Sequence, residues 1–192
     1  MDDLSEIVRF HGHLCPGIAF GYRAAKTALG ELGKRSEDEE IVAIVENDSC
    51  AVDSIQVLTG CTFGKGNLIF RDYGKQVYTF LKRGTGEAIR IAVDWKGIKE
   101  TEKEKLLWKK FQSGDRSDRV MKGIEAIKKK KVDAILKAKE KDILKIKRIK
   151  MESPSEARIY PSIRCSICGE KVMEPRARVK GGKVVCIPCS EI

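Results

Sequence analysis

Apolar residues recur at helical spacing from the start of the chain. Leu4, Ile7 and Val8 share one side of a segment ending at Phe10, and Ile18, Tyr22, Ala25, Leu29 and Leu32 follow on a longer one. This pattern predicts a short amphipathic helix and then a long helix. Pro16, lacking an N–H, suits the first helical position of the second, which places Cys15 at its N-cap. After a polar turn over 33–40, Ile41-Val-Ala-Ile-Val45 is continuously apolar, as expected of a central strand covered on both faces. Helical spacing returns at Val52, Ile55 and Leu58. Strands are predicted over 67–72, 77–81 and 88–93, the last half-exposed because Ile89, Ile91 and Val93 alternate with Arg90 and Ala92. Two amphipathic helices follow over 100–113 and 116–131, parted by Ser-Gly-Asp, then a third, short helix over 132–138. Residues 142–149 read as a strand whose lysines mark a sheet edge.

Charge changes this picture in one place. Residues 1–95 hold 11 Lys/Arg against 14 Asp/Glu, whereas residues 96–151 hold 20 against 9 and supply the whole of the +10 net charge. A dedicated nucleic-acid reader would carry its charge on a recognisable reading element. Lys128-Lys-Lys-Lys131 lies instead in a helical stretch of the solvated, ion-paired kind. The basic segment is compatible with an accessory contact to RNA or to an acidic partner protein. No apolar run spans a bilayer and no secretory signal begins the chain, so a cytoplasmic protein is expected.

The seven cysteines divide into Cys15, Cys50 and Cys61 near the start and two C-x-x-C pairs at the end. The terminal set, Cys165, Cys168, Cys186 and Cys189, encloses a hairpin turning at Gly181-Gly182. Four thiolates at this spacing, in a segment too short for its own core, predict a structural zinc finger. The boundaries read as a core domain over 1–150, a linker over 151–161 rich in Ser and Pro, and a finger over 162–192.

Chemistry in the core concentrates in three stretches. His11-Gly-His-Leu-Cys-Pro-Gly17 carries the only two histidines of the chain, alternating with a helix-start thiol. Glu46-Asn-Asp-Ser-Cys50 closes the predicted central strand, the end at which ligands collect in layered α/β proteins. Thr59-Gly-Cys-Thr-Phe-Gly-Lys-Gly66 adds Cys61 and fits neither a P-loop nor a dinucleotide fingerprint.

These stretches, the second continuing through Ala51-Val-Asp53 and the third through Asn67-Leu68, with Asp72-Tyr-Gly-Lys75 and Cys165-Ser-Ile-Cys-Gly-Glu170, resemble the FmdE proteins, which are associated with formylmethanofuran dehydrogenase of methanogenic and related archaea. The resemblance implies an α+β, thioredoxin-like core with a mixed sheet, about five-stranded by the strand count, flanked by helices. It also implies a treble-clef-like finger and an active site in the His/Cys cluster where a zinc ion sits. The expected partners are formylmethanofuran dehydrogenase subunits, in one-carbon metabolism of the methanogenic, oxidoreductase type. A homodimer is the expected assembly.

On the residues themselves, His13, Cys50 and Cys61 are the expected ligands of zinc or another divalent metal. His11, Cys15 and Asp48 are the groups expected to act beside it, with Lys65 and Lys75 as counter-charges for an anionic substrate. Two rivals stand alongside: dithiol redox chemistry between Cys15 and Cys50 or Cys61, and a non-catalytic zinc-finger accessory docking on a protein or RNA.

Overall fold

The run Ile41–Val45 forms β1, buried at all five positions, and the elements around it are seen in a computed structural model describing residues 2–191. Helices α1 (Asp3–His11) and α2 (Pro16–Leu32) precede it, and α3 (Ala51–Thr59) follows. Strands β2 (Leu68–Phe70), β3 (Val77–Lys82) and β4 (Glu87–Val93) come next, then α4 (Glu102–Gln112), α5 (Asp118–Lys137), the single turn α6 (Glu140–Ile143) and β5 (Leu144–Lys150). The sheet order is β2-β1-β3-β4-β5, with β1 parallel to β2 and every other pair antiparallel. This is the thioredoxin-like, mixed five-stranded arrangement. The lysine-bearing β5 is an edge strand, as its sequence predicts.

Alternation along the strands sorts their side chains into two clusters. Ala43, Val45, Tyr78, Phe80, Ile89 and Ile91 join α1, α2, α3 and the second half of α5 in the main core. Val42, Leu81 and Ala88 form a smaller cluster with Ile69 and Met151. Half-exposed β4 shows the expected pattern, Ile89 and Ile91 being buried while Arg90 reaches Glu46 at 3.4 Å.

The separate helix expected over 132–138 is the end of α5, which runs unbroken from Asp118 to Lys137. Lysine is a good helix former, and no Gly or Pro interrupts 124–138. Its C-terminus closes on Arg23, whose Nη1 donates to the carbonyls of Ile135, Leu136 and Ala138 at 2.7, 3.0 and 2.8 Å. The first half of α5 packs on α4 instead, through Val120, Ile124 and Ile127 against Leu107, Trp108 and Phe111.

The chain forms two compact units, Met1–Glu156 and Ala157–Ile192. Residues 151–161 carry neither helix nor strand. In the second unit β6 (Ser162–Arg164) pairs with β7 (Lys171–Met173), and β8 (Arg178–Lys180) pairs with β9 (Lys183–Val185) ahead of α7 (Ile187–Glu191). The β8–β9 turn falls at Gly181 and Gly182, both at positive φ (56° and 74°), the conformation a two-residue hairpin loop requires.

Candidate metal centre

Helices α2 and α3 start side by side, and glycine is the reason. A Cβ on Gly21 would stand 2.2 Å from the Ala51 carbonyl oxygen, and one on Gly17 would stand 2.9 Å from Cys50 Cβ. Only hydrogen at both positions, one helical turn apart, lets the helix starts approach this closely. Cys15 caps α2, its Sγ accepting from the Ile18 amide at 3.5 Å, and Cys50 holds the corresponding position before α3. The C-terminal turn of α1 then delivers His11.

His11, Cys15 and Cys50 place one ligand atom each within 4.8 Å of one another. His11 Nδ1 lies 2.6 Å from Asp53 Oδ2, which leaves Nε2 as the free ring nitrogen. Nε2 is buried without a hydrogen-bond partner, one of two such side-chain atoms among the described residues. A buried, unpartnered nitrogen on an imidazole grouped with two sulfur atoms is costly unless something pairs with it. Burial, and then the neighbouring Cys15 thiol, push the Cys50 thiol above its ordinary range. A cation at this point removes both penalties by pairing with Nε2 and with thiolates. Nitrogen and sulfur donors are the set zinc prefers, and a carboxylate on the far ring nitrogen is the usual device that orients such a histidine.

The other predicted residues are placed elsewhere. His13 is exposed, its ring stacked obliquely on His11 with centroids 4.6 Å apart, and it lies outside the ligand group. Asp48 is exposed in the β1–α3 loop, on the rim of a small cavity it shares with Asp53. Cys61 is fully buried, with its Sγ donating to the Ile41 carbonyl at 3.3 Å, and burial pushes its thiol up to about 11. Ile41 begins β1 whereas Cys50 lies beyond its end, so the strand's roughly 13 Å separates the two sulfurs' neighbourhoods. Helix α3 carries the chain back over that same distance. Lys65 is tied to the carbonyls of Ser36 and Glu37 at 3.3 and 3.1 Å. Asn47, not a charge, meets residue 75, through the Lys75 carbonyl at 2.6 Å.

Asp53 ends the second of the motifs that carry the resemblance, yet the sequence reading gives it no role at the site. Its signal was available: it stands three residues after Cys50, on the same face of the first turn of α3.

In the second unit Cys165, Cys168, Cys186 and Cys189 bring all four sulfurs within 4.8 Å of one another. The first pair sits in a tight knuckle, where the Ile167 amide donates to Cys165 Sγ at 3.4 Å and Gly169 turns the chain at φ 75°. The second pair flanks the start of α7. Backbone amides of Cys168 and Cys186 hold the Cys165 thiol down to about 6, whereas the adjoining Cys186 side chain, burial and the other thiols push Cys189 up to about 12. Four such thiols ionise together only around a cation. The knuckle, hairpin and helix form a treble-clef-like finger.

Residues 10–145 match the family described as FmdE, molybdenum formylmethanofuran dehydrogenase operon. Residues 158–191 match the prokaryotic dksA/traR C4-type zinc finger. A protein of Archaeoglobus fulgidus named probable S-adenosyl-L-methionine-binding protein is 31% identical over 189 residues, which is 94% of this chain and 50% of that protein. The chain thus spans about half the length of this relative. The crystal structure of a tungsten formylmethanofuran dehydrogenase FmdE-like protein from Syntrophus aciditrophicus has the same fold, with a TM-score of 0.62 over 97% of this chain and 89% of that one at 24% identity. With a matching core, a matching fold and a C4 finger appended, the chain belongs to the FmdE family.

Proposed function

We propose that the core is a divalent-metal site in which His11, Cys15 and Cys50 hold a zinc ion and leave a fourth position open, while the four terminal cysteines hold a structural zinc. The observation carrying this reading is a buried, unpartnered Nε2 on the His11 imidazole, which lies together with two thiols. Three protein ligands with one vacancy is the arrangement of catalytic zinc, and the ion supplies Lewis acidity to whatever group enters that vacancy. Asp53 fixes the His11 ring, and His13, outside the ligand set, is free to contact a bound molecule.

The family's description supports a place for the protein beside formylmethanofuran dehydrogenase in one-carbon metabolism. With that role goes a cytoplasmic homodimer. The S-adenosyl-L-methionine of the relative's name is not required by this reading, since the chain spans only half of that relative. Metal analysis of the purified chain tests the core. Two zinc ions per chain are expected, falling to one in His11→Ala and in Cys50→Ser. A chain that holds one zinc before and after Cys50→Ser overturns the metal centre.

Proximity of Cys15 and Cys50 favours a second reading, dithiol redox chemistry between these two. A disulfide there would leave His11 Nε2 unpartnered, which counts against it. Mass spectrometry after mild oxidation decides: a Cys15–Cys50 disulfide formed in the metal-loaded chain supports redox, and its absence supports ligation. Cooperation with the dehydrogenase is read separately, from co-purification with its large subunits from native extract.

A further inference from the structure

A cavity of about 750 Å³ opens between one face of α5 and the corner at His13 and Leu14. Its size is that of a small-molecule site. Asp118, Lys122, Glu125, Lys128, Lys129 and Asp133 line it. They recur at three- and four-residue steps and so share one face of the helix. None of these six is ion-paired among the described residues. Lys130 and Lys131, on another face, are paired with Glu104 at 2.9 Å and Glu100 at 2.7 Å. Leu14, Phe111 and Met121 give the cavity an apolar wall, with the Lys128 ammonium 6.0 Å from the Phe111 ring centroid. His13 lines it too, and its ring lies against that of His11.

The geometry points to this cavity as a small-molecule site that adjoins the metal centre through His13, none of His11, Cys15 and Cys50 lining it, and that takes an amphipathic zwitterion of the amino-acid or short-peptide class. The inference rests on the metal-centre reading above. An uncharged apolar molecule would press dry surface against six charges, and a polyanion would face three carboxylates. A molecule bearing both an ammonium and a carboxylate on an apolar body meets lysines and carboxylates at once. Its apolar part lies on Leu14, Phe111 and Met121, and His13 contacts it from the metal side.

Calorimetric titration of the zinc-loaded full chain with L-alanyl-L-phenylalanine, its N-acetyl derivative and its C-terminal amide tests this. The dipeptide is expected to bind and each derivative to bind about tenfold more weakly, the usual loss for one charge-assisted contact. Lys128→Gln with Lys129→Gln should weaken the dipeptide by a similar factor. Met121 is 42% exposed, so Met121→Trp fills the cavity without entering the core and should abolish binding while zinc content stays at two. No binding to a chain holding two zinc ions, equal binding of all three compounds, or binding unaffected by Met121→Trp overturns the chamber. Dipeptide binding to a chain holding only the finger zinc would keep the chamber and overturn the metal centre.

Discussion

The two clusters of candidate metal-ligating side chains are built by opposite means. In the finger, two residues separate the cysteines of each pair and 17 residues separate the pairs, so a knuckle and a hairpin suffice to gather four thiols. In the core, His11, Cys15 and Cys50 come from the end of one helix and the starts of two others, and they meet because Gly17 and Gly21 let α2 and α3 touch. A locally gathered site depends on its metal for folding. A site gathered by tertiary packing stands on a core that exists without the ion, and can leave a position open.

The largest effect expected from this contrast lies in the finger. Cys168→Ser, or a strong chelator, should unfold residues 157–191 while the first unit stays folded, because structural zinc contributes roughly 10–16 kcal/mol to such a module. Hydrogen exchange resolved by residue reads this directly, and a finger that keeps its protected amides without metal would erase the contrast. In the core, Cys50→Ser should lower metal affinity by about a hundredfold or more without loss of fold, measured by competition with a chromophoric chelator and by circular dichroism.

Gly21→Ala probes the packing itself. The new methyl would sit on the Ala51 carbonyl, so a loss of about 2–3 kcal/mol in urea unfolding is expected, together with weakened metal binding. Asp53→Asn should leave stability nearly unchanged and weaken metal binding by about ten- to a hundredfold, since it removes the carboxylate that orients His11. The smallest effect belongs to Cys61. Held as a thiol by burial, with its ionisation pushed up to about 11, it should resist alkylation at neutral pH, and Cys61→Ala should leave the metal count at two. Folding stability tied to this thiol is present below about pH 9, where the unfolded chain also keeps it protonated, and is lost as pH rises towards 11.

Much of the fold was legible because local rules and tertiary demands agreed. The apolar run of β1, the Cys15 cap before Pro16 and the lysines of the β5 edge each read correctly from spacing alone. The end of α5 did not, since periodicity cannot tell one long helix from two short ones when no Gly or Pro marks the break. Within the site, alternation drew attention to both histidines and to all three core cysteines. It could not say that His11 ends a helix with its ring turned inward while His13 faces out, nor that Cys61 lies at the opposite end of β1 from Cys50.

The sequence by itself determined most of the elements, the finger and the identity of the reactive side chains, because helical and strand periods, caps and C-x-x-C spacing act over a few residues. Tertiary structure alone decided which of those side chains share a point in space. That choice is made by where α2 crosses α3, a contact between residues some 30 positions apart whose closeness depends on the absence of two methyl groups.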